Sequence, residues 1–458
     1  MRKNSTRKTL ALVLPFWLLS GPLHAETLGE ALQYAYRTNP SLTGARAALR
    51  ATDEGVPLAK AGARPTLSAT VDYQEFLVRS ANSFAAPLRA TTAAANLTMP
   101  IYQGGRVKYG IRSAEARVFA GRATLRAAEA DLFTAIVSVY LDVMRDNAIA
   151  ELNQRNVAVL STNLAATRDR FEVGDLTRTD IAQSEARLQG AHSQLELALS
   201  QLDASRENYL RFVGLPAHNL QTPSSLPGLP DSAEAAVDTA LDSNPILAAA
   251  KMEADAARSD IRVAEASRLP QLAAIGSANY NNYLGSLNST IPGRAFQQSQ
   301  RTATIGLSAT IPIYQGGLPA AQVRRAQAVT SQALERMILI ERQIVAETRA
   351  AYSRYRATQS VIRSAQAAVE ANELALEGVR AENSIGSRNI LDVLNAEQEL
   401  LNSRVQLITA ERDAYVASFA LLASMGKAEA ADLGLMGGDL FGPRLSSANL
   451  PATAMVQR

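Results

Sequence analysis

Two acidic residues, Asp180 and Asp392, stand at matching places in a segment that the chain contains twice. The segment runs from Arg170 to Leu188 and returns in altered form from Glu382 to Leu400. Carboxylates in such places can accept hydrogen bonds at a helix end, pair with an arginine or attract cations. These roles are structural and electrostatic, and none of them requires a nucleophile or a metal ion.

The spacing around both acidic residues fits the start of a helix. Asp180 follows Thr177 by three residues, and Asp392 follows Asn389 by the same step. An N-cap residue with an acid at the third helical position satisfies free backbone N–H groups and favours the helix dipole. Arg388 stands four residues before Asp392 and could instead pair with it within one chain, although that order is the weaker one on a helix.

Other kinds of chemistry have little support in the sequence. The chain has no cysteine, and its three histidines, His24, His192 and His218, are isolated and in no ligand-like spacing. The sequence contains no nucleophile motif, phosphate-binding loop or metal cluster. We therefore predict that the protein is not an enzyme and binds no cofactor.

The first 25 residues have the features of a secretory signal peptide. Four basic residues precede an apolar core from Leu10 to Leu19, and residues 23–25 form a suitable cleavage site before Glu26. Because no cysteine follows that site, no lipid anchor is expected. The whole chain has 46 Lys and Arg against 43 Asp and Glu. Without the four basic residues of the signal it is nearly neutral, so no nucleic-acid partner is predicted.

Two pairs of strands are predicted from apolar residues that alternate with polar ones. The alternation is clearest at residues 67–73 and 303–311 and weaker at 93–99 and 272–280. The apolar faces carry many small residues and are flanked by tyrosines such as Tyr73 and Tyr280, as on the lipid-facing surface of a membrane barrel. An ordinary soluble sheet fits the strands alone equally well.

Near-identical segments follow the strands in the two halves. Residues 100–105 and 312–317 both read Pro-Ile-Tyr-Gln-Gly-Gly, and Pro312 follows Pro100 by 212 residues. Gly386 follows Gly174 by the same 212 residues. This constant register indicates an internal duplication.

Long helices are predicted on both sides of each turn. No proline occurs between Pro100 and Pro216 or between Pro319 and Pro443. About 65 helical residues before the first turn would span about 100 Å, so such a helix needs a partner along its length. A heptad seam with many small residues could supply it, formed by Leu188, Ala191, Leu195, Ala198, Leu202, Ser205, Tyr209 and Phe212 and, in the second copy, by Leu400, Ser403, Leu407, Ala410, Ala414, Ala417, Leu421 and Ser424.

The chain is thus predicted to consist of two structural repeats. We place a signal peptide at 1–25, the first repeat at 26–213, a proline-rich linker at 214–230, the second repeat at 231–425 and an irregular C-terminal tail at 426–458. Each repeat contains helices, two barrel strands and a long helical hairpin. Four strands cannot close a membrane barrel, but three chains would supply about 12.

This arrangement resembles the TolC family of outer-membrane exit ducts over nearly the whole mature chain. The paired Pro-Ile-Tyr-Gln-Gly-Gly segments, the Val-Gly and Ile-Gly turns and the aspartates that follow them carry the resemblance. It implies an α+β membrane protein that forms a homotrimer. A barrel of about 12 strands, four from each chain, would lie in the outer membrane and continue into a long α-helical coiled-coil tunnel across the periplasm.

The resemblance also implies a function and partners. The protein would be the outer-membrane exit duct of a tripartite export system, carrying small molecules or proteins. Its partners would be outer-membrane lipid, a periplasmic adaptor protein and an inner-membrane transporter, which open the closed tip when they dock. The alternative is a trimeric coiled-coil protein with a structural or adhesive role in the envelope, but such a protein does not need two barrel-like strand pairs.

Residues at the two turns match the family position by position. By that resemblance, Val173, Gly174, Ile385 and Gly386 belong to the turns that meet the adaptor. The network that holds the tip shut would include Thr179, Asp180 and Arg388, and Asp392 would form an acidic ring at the constriction. Three carboxylates around a narrow pore would favour cations.

Two gate positions depart from the family pattern. Asn383 stands where many relatives have a tyrosine in the gate, and Asn395 stands where some have a second acidic ring. The resemblance therefore implies neither a complete tyrosine latch nor a double acidic ring for this chain.

Overall fold

The structure is a computed structural model that describes residues 26–78, 87–287, 293, 295–430 and 432–433. The predicted signal peptide and most of the predicted C-terminal tail lie outside the described residues.

The two halves of the chain have the same order of long elements. In the first half these are α1 (Leu28–Thr38), α2 (Pro40–Asp53), α3 (Gly55–Ala61), β1 (Thr66–Glu75), β2 (Arg89–Gln103), α4 (Arg106–Glu172) and α5 (Arg178–Val213). In the second they are α6 (Ala233–Ser243), α7 (Pro245–Glu265), a single 3-10 turn (Ala266–Arg268), β3 (Gln271–Asn282), β4 (Ser299–Thr310), α8 (Leu318–Ser384) and α9 (Ile390–Ser424). Helices α4 and α8 each have 67 residues, and α5 and α9 have 36 and 35.

An Asn-Pro corner recurs where α2 and α7 begin. Asn39 and Asn244 are the N-caps, and each side-chain oxygen accepts a hydrogen bond from the backbone two residues further on, at 2.9 Å in both copies. The Asn39 amide donates to the Phe212 carbonyl oxygen at 2.8 Å, and the Asn244 amide donates to that of Ser424 at 3.0 Å. Each corner thus ties a short helix to the end of a long one.

The four strands form one antiparallel sheet in the order β1-β2-β3-β4. One face is polar: its rows include Ser68, Asn96, Ser277 and Thr304. The next row, on the other face, contains Leu67, Leu97, Gly276 and Ile305. Leu67 and Ile305 are 75% and 90% exposed, so these apolar side chains have little cover from the residues that the structure describes.

Strand β2 extends further than the sequence pattern predicts. We placed a strand at 93–99, but β2 continues through Pro100 to Gln103, with a register shift between Pro100 and Tyr102. The equivalent segment after β4 contains no strand. The difference arises because β3 still lies beside β2 at this level, with Gln271 opposite Gln103, whereas β4 already pairs with Gln271 at Thr310 and has no residue of β3 beyond it. The irregular register accommodates a proline that cannot donate to the ladder.

The main core lies where the first helices pack on the middle of α4. Phe133, Ile136 and Tyr140 are fully buried there, together with Tyr209 of α5. Residues 214–230 contain neither helix nor strand, but the Tyr140 hydroxyl donates to the Gln221 carbonyl oxygen at 2.7 Å. The described start of the predicted tail is also packed, since Ala428 is fully buried.

Each pair of long helices forms a hairpin, α4 with α5 and α8 with α9. The predicted heptad positions are buried or half-buried in both copies, and Tyr209 and Leu421 are fully buried. Among the helices that the structure describes, none is both long and apolar enough to span a bilayer.

Candidate functional site

The first hairpin turn is built around a glycine with a positive φ. Gly174 has φ +85°, a backbone conformation that glycine adopts without the steric cost that a side chain imposes. Its N–H donates to the Phe171 carbonyl oxygen at 2.9 Å. The N–H of the next residue, Asp175, donates to the Arg170 carbonyl oxygen, also at 2.9 Å. These two bonds satisfy carbonyl groups that the end of α4 would otherwise leave without partners.

An ion pair closes the same turn. The Arg170 guanidinium donates twice to one Asp175 oxygen, with Nε at 2.8 Å and Nη2 at 2.6 Å. Both side chains are about half exposed, so the pair contributes little to global stability. Because it joins the last turn of α4 to the residue after Gly174, the ion pair orients the chain where it leaves the helix.

Asp180 lies in the capping box that starts α5, as its spacing predicts. The Thr177 hydroxyl accepts a hydrogen bond from the Asp180 N–H at 3.3 Å, and the Asp180 carboxylate accepts from the Thr177 N–H at 2.8 Å. The hydroxyl also donates to that carboxylate at 2.7 Å. The backbone and then the side-chain hydrogen bond from Thr177 lower the pKa of Asp180. The neighbouring Thr179 is exposed in the first turn of α5.

The second turn repeats the geometry of the first. Gly386 has φ +78°, and its N–H donates to the Asn383 carbonyl oxygen at 3.0 Å. The Asn383 amide donates to the Arg388 carbonyl oxygen at 2.8 Å, which braces the turn from inside. Asn383 therefore has a structural partner in its own turn.

Arg388 has two acidic partners in its own chain. Its Nε donates to Glu382 at 2.7 Å, and Nη1 lies 3.8 Å from an Asp392 oxygen. The pairing with Asp392 that the sequence left open thus occurs, but the closer contact is to Glu382. Sequence reasoning missed Glu382; its charge, opposite to that of Arg170 at the matching position, was the available signal.

Asn389 caps α9 in a different way from the cap of α5. Its side-chain oxygen accepts a hydrogen bond from the Leu391 N–H at 3.2 Å, while the Asp392 N–H donates to the Asn389 carbonyl oxygen at 3.1 Å. The predicted cap is present, with Asp392 in the first turn. The Asp392 carboxylate lies towards Arg388 and is exposed enough to accept further hydrogen bonds.

The two hairpins contact each other close to these turns. Arg187 of α5 donates to the Asn395 side-chain oxygen at 2.7 Å. Leu160, Ala191 and Leu394 form a buried apolar cluster beside this contact. Asn395, predicted at the constriction, thus lies against the first hairpin in this structure.

Apolar side chains project from both tips. Val173 and Ile385 are each 80% exposed, although each is a large aliphatic residue. Each precedes the glycine of its turn, so the two tips present the same short apolar surface. In the part of the chain that the structure describes, no three His, Cys, Asp or Glu residues are grouped to hold a metal ion.

Comparisons of the sequence with known proteins agree on one protein family. The sequence matches the model of the outer membrane efflux protein family over residues 31–214 and 236–427. It is 32% identical to the outer membrane efflux protein BepC of Brucella suis over 442 residues, which covers 95% of this chain and 94% of the relative. It is 26% identical to the outer membrane protein TolC of Escherichia coli over 421 residues, 89% of this chain and 84% of that protein.

The fold agrees with solved structures as well. The outer membrane protein VceC of Vibrio cholerae superimposes with a TM-score of 0.74 at 22% identity, covering 87% of this chain and 96% of that one. The α+β channel fold predicted from the sequence is therefore confirmed. With a matching family model over most of its length, the chain belongs to the outer membrane efflux protein family.

Proposed function

We propose that three copies of this outer-membrane channel protein close into one export duct. The sheet carries this proposal, because β1 and β4 each have an edge that pairs with no described strand. Long exposed edges of this kind need a partner, and closure into a barrel removes them. Joining β4 of one chain to β1 of the next would give a barrel of about 12 strands, with the apolar sheet face towards lipid.

Exposed apolar residues on the long helices support the same assembly. Leu197 of α5 is 68% exposed, and Leu339 and Leu374 of α8 are 63% and 71% exposed. These side chains lie on faces that no described part of the chain covers. Packing these faces between chains would continue the barrel as a helical tunnel in the periplasm, with the two turns at its far end.

The turns would form the gate of this tunnel. By family resemblance, Thr179, Asp180, Asn383, Arg388, Asp392 and Asn395 line or latch the constriction. Arg388 is suited to a latch because its guanidinium is half exposed while it contacts Glu382 and Asp392. A guanidinium has five donors in a planar fork, so these contacts leave donors for a neighbouring chain.

The exposed tips would be the docking points for partners. Val173, Gly174, Ile385 and Gly386 present two matching apolar surfaces that a periplasmic adaptor could bind. An inner-membrane transporter would complete the system and select the cargo, whether small molecules or proteins. No step of this transport needs a catalytic residue in the duct.

Native mass spectrometry of the purified protein in detergent tests the assembly. We expect a species with the mass of three mature chains, because only closure pairs the edges of β1 and β4. A stable monomer as the sole species in several detergents would contradict the proposal.

A further inference from the structure

Glu397 is a buried carboxylate that lies outside the predicted gate. It stands on α9, five residues beyond Asp392, which places it about 7.5 Å further along the helix. Its side chain is only 6% exposed. A buried charge is costly unless it is paired and hydrogen-bonded, so its partners identify what the residue holds together.

The partners of Glu397 come from two other helices. The Asn163 amide of α4 lies 3.0 Å from both carboxylate oxygens. The Arg380 guanidinium of α8 donates to one of them at 2.9 Å. One carboxylate therefore connects both helices of the second hairpin to the first hairpin.

The contact with α4 has a different role from the contact with α8. Helices α8 and α9 are already joined by the Arg404 to Glu373 ion pair at 2.7 Å and by other contacts along their seam. Asn163 instead joins α9 to the neighbouring hairpin, beside the Leu394 cluster. A movement of the second turn away from the first hairpin has to break the bond between Asn163 and Glu397.

We propose that Glu397 is a positioning residue of the gate, which with Asn163 forms a latch between the two hairpins of one chain. This proposal rests on the proposed export duct. The second hairpin carries Arg388 and Asp392, so holding it against α4 keeps both residues in place at the constriction. A buried, hydrogen-bonded carboxylate suits a latch because leaving it only partly satisfied in the protein interior is costly. Its hydrogen bonds are therefore expected to form and break together.

Planar-bilayer conductance of the purified trimer tests the latch with Asn163→Asp. This change puts a carboxylate against that of Glu397 and leaves the Arg380 contact in place. We expect the time-averaged conductance to rise about tenfold over the wild type, the change that loss of a hydrogen bond to a charged group can produce. If the Asp variant does not assemble, Asn163→Ala should raise the conductance in the same direction by a smaller factor.

Two further variants separate a latch from general loosening. Glu373→Gln breaks an ion pair between α8 and α9 without touching α4, and it should leave the conductance at the wild-type level. The double variant Asn163→Asp with Glu397→Gln exchanges the amide and the carboxylate, so it should restore the low conductance.

The outcomes distinguish this proposal from the function on which it rests. If Arg388→Ser opens the channel but Asn163→Asp behaves like Glu373→Gln, the latch is wrong and the duct stands. A double variant that stays open although trimeric also contradicts the latch. If no trimer conducts, Arg388→Ser included, the export duct itself is wrong.

Discussion

Asp180 and Asp392 follow their helix caps at the same spacing, but their carboxylates have different partners. Asp180 accepts hydrogen bonds from the Thr177 backbone and hydroxyl. Asp392 has Arg388 at 3.8 Å. The hydroxyl of Thr177 can both accept and donate, so it engages the acid, whereas Asn389 uses its oxygen for the Leu391 N–H. One oxygen of Asp180 is therefore engaged by its cap, whereas the Asp392 carboxylate keeps more capacity for the contacts that we propose at the gate.

Removing the Thr177 hydroxyl should weaken the start of α5. Thr177→Ala loses the bonds at 2.7 and 3.3 Å to Asp180, a change that typically costs about 1 kcal/mol. We expect hydrogen exchange in the first turn of α5 to become about fivefold faster. Thr177→Ser should exchange like the wild type, and equal exchange in the Ala variant would show that the hydroxyl does not stabilise the turn.

The same cap has a defined pH dependence. The pKa of Asp180 is lowered in the folded chain by hydrogen bonds from Thr177, so its contribution is complete above the ordinary pKa of an aspartate. It is lost as pH falls through the lowered value. The exchange difference between wild type and Thr177→Ala should therefore shrink in acid.

At the scale of the elements, each hairpin turn is held by a glycine and an ion pair of reversed polarity. The last turn of α4 supplies Arg170 to pair with Asp175, whereas the last turn of α8 supplies Glu382 to pair with Arg388. The backbone is the same in both, with φ +85° at Gly174 and +78° at Gly386. Duplication has preserved the conformation while the charges have diverged.

A β-branched residue at Gly386 should impair export without preventing assembly. A Cβ at Gly386 meets no atom within 4 Å, so the strain of Gly386→Val comes from its φ of +78°, at about 1–3 kcal/mol. We expect a distorted tip that reduces cargo export, with heat-resistant trimers unchanged. Gly378→Val is the control, because Gly378 lies within α8 with equally open space and no positive φ. Normal export by the Gly386 variant would count against a docking role for the turn.

The sequence predicts the elements well because their signals are local or repeated. Alternation located all four strands, and the heptad positions found the buried seam, including Tyr209 and Leu421. The bond between Asn163 and Glu397 could not be predicted, since it depends on how two long helices are rotated against each other. Strand β2 ran past Pro100 because a neighbouring strand, not the local sequence, extended it.

At the scale of the whole molecule, one chain leaves its sheet and its long helices incomplete. Two edges of the sheet pair with no strand that the structure describes, and helices of 67 residues extend about 100 Å from it. Leu197, Leu339 and Leu374 remain exposed on those helices. The proposed threefold assembly would resolve all these features together, and it would place three copies of Asp392 and Arg388 around one axis at the far end.

Single-channel conductance of the mature trimer beside its Arg388→Ser variant tests the central claim, a duct gated at these turns. We expect a small, cation-selective conductance from the wild type, because three copies of Asp392 would ring the proposed constriction. The variant should conduct several times more, since Glu382 and Asp392 both lose their partner. No conductance from either protein, with insertion of intact trimers confirmed, would contradict the account.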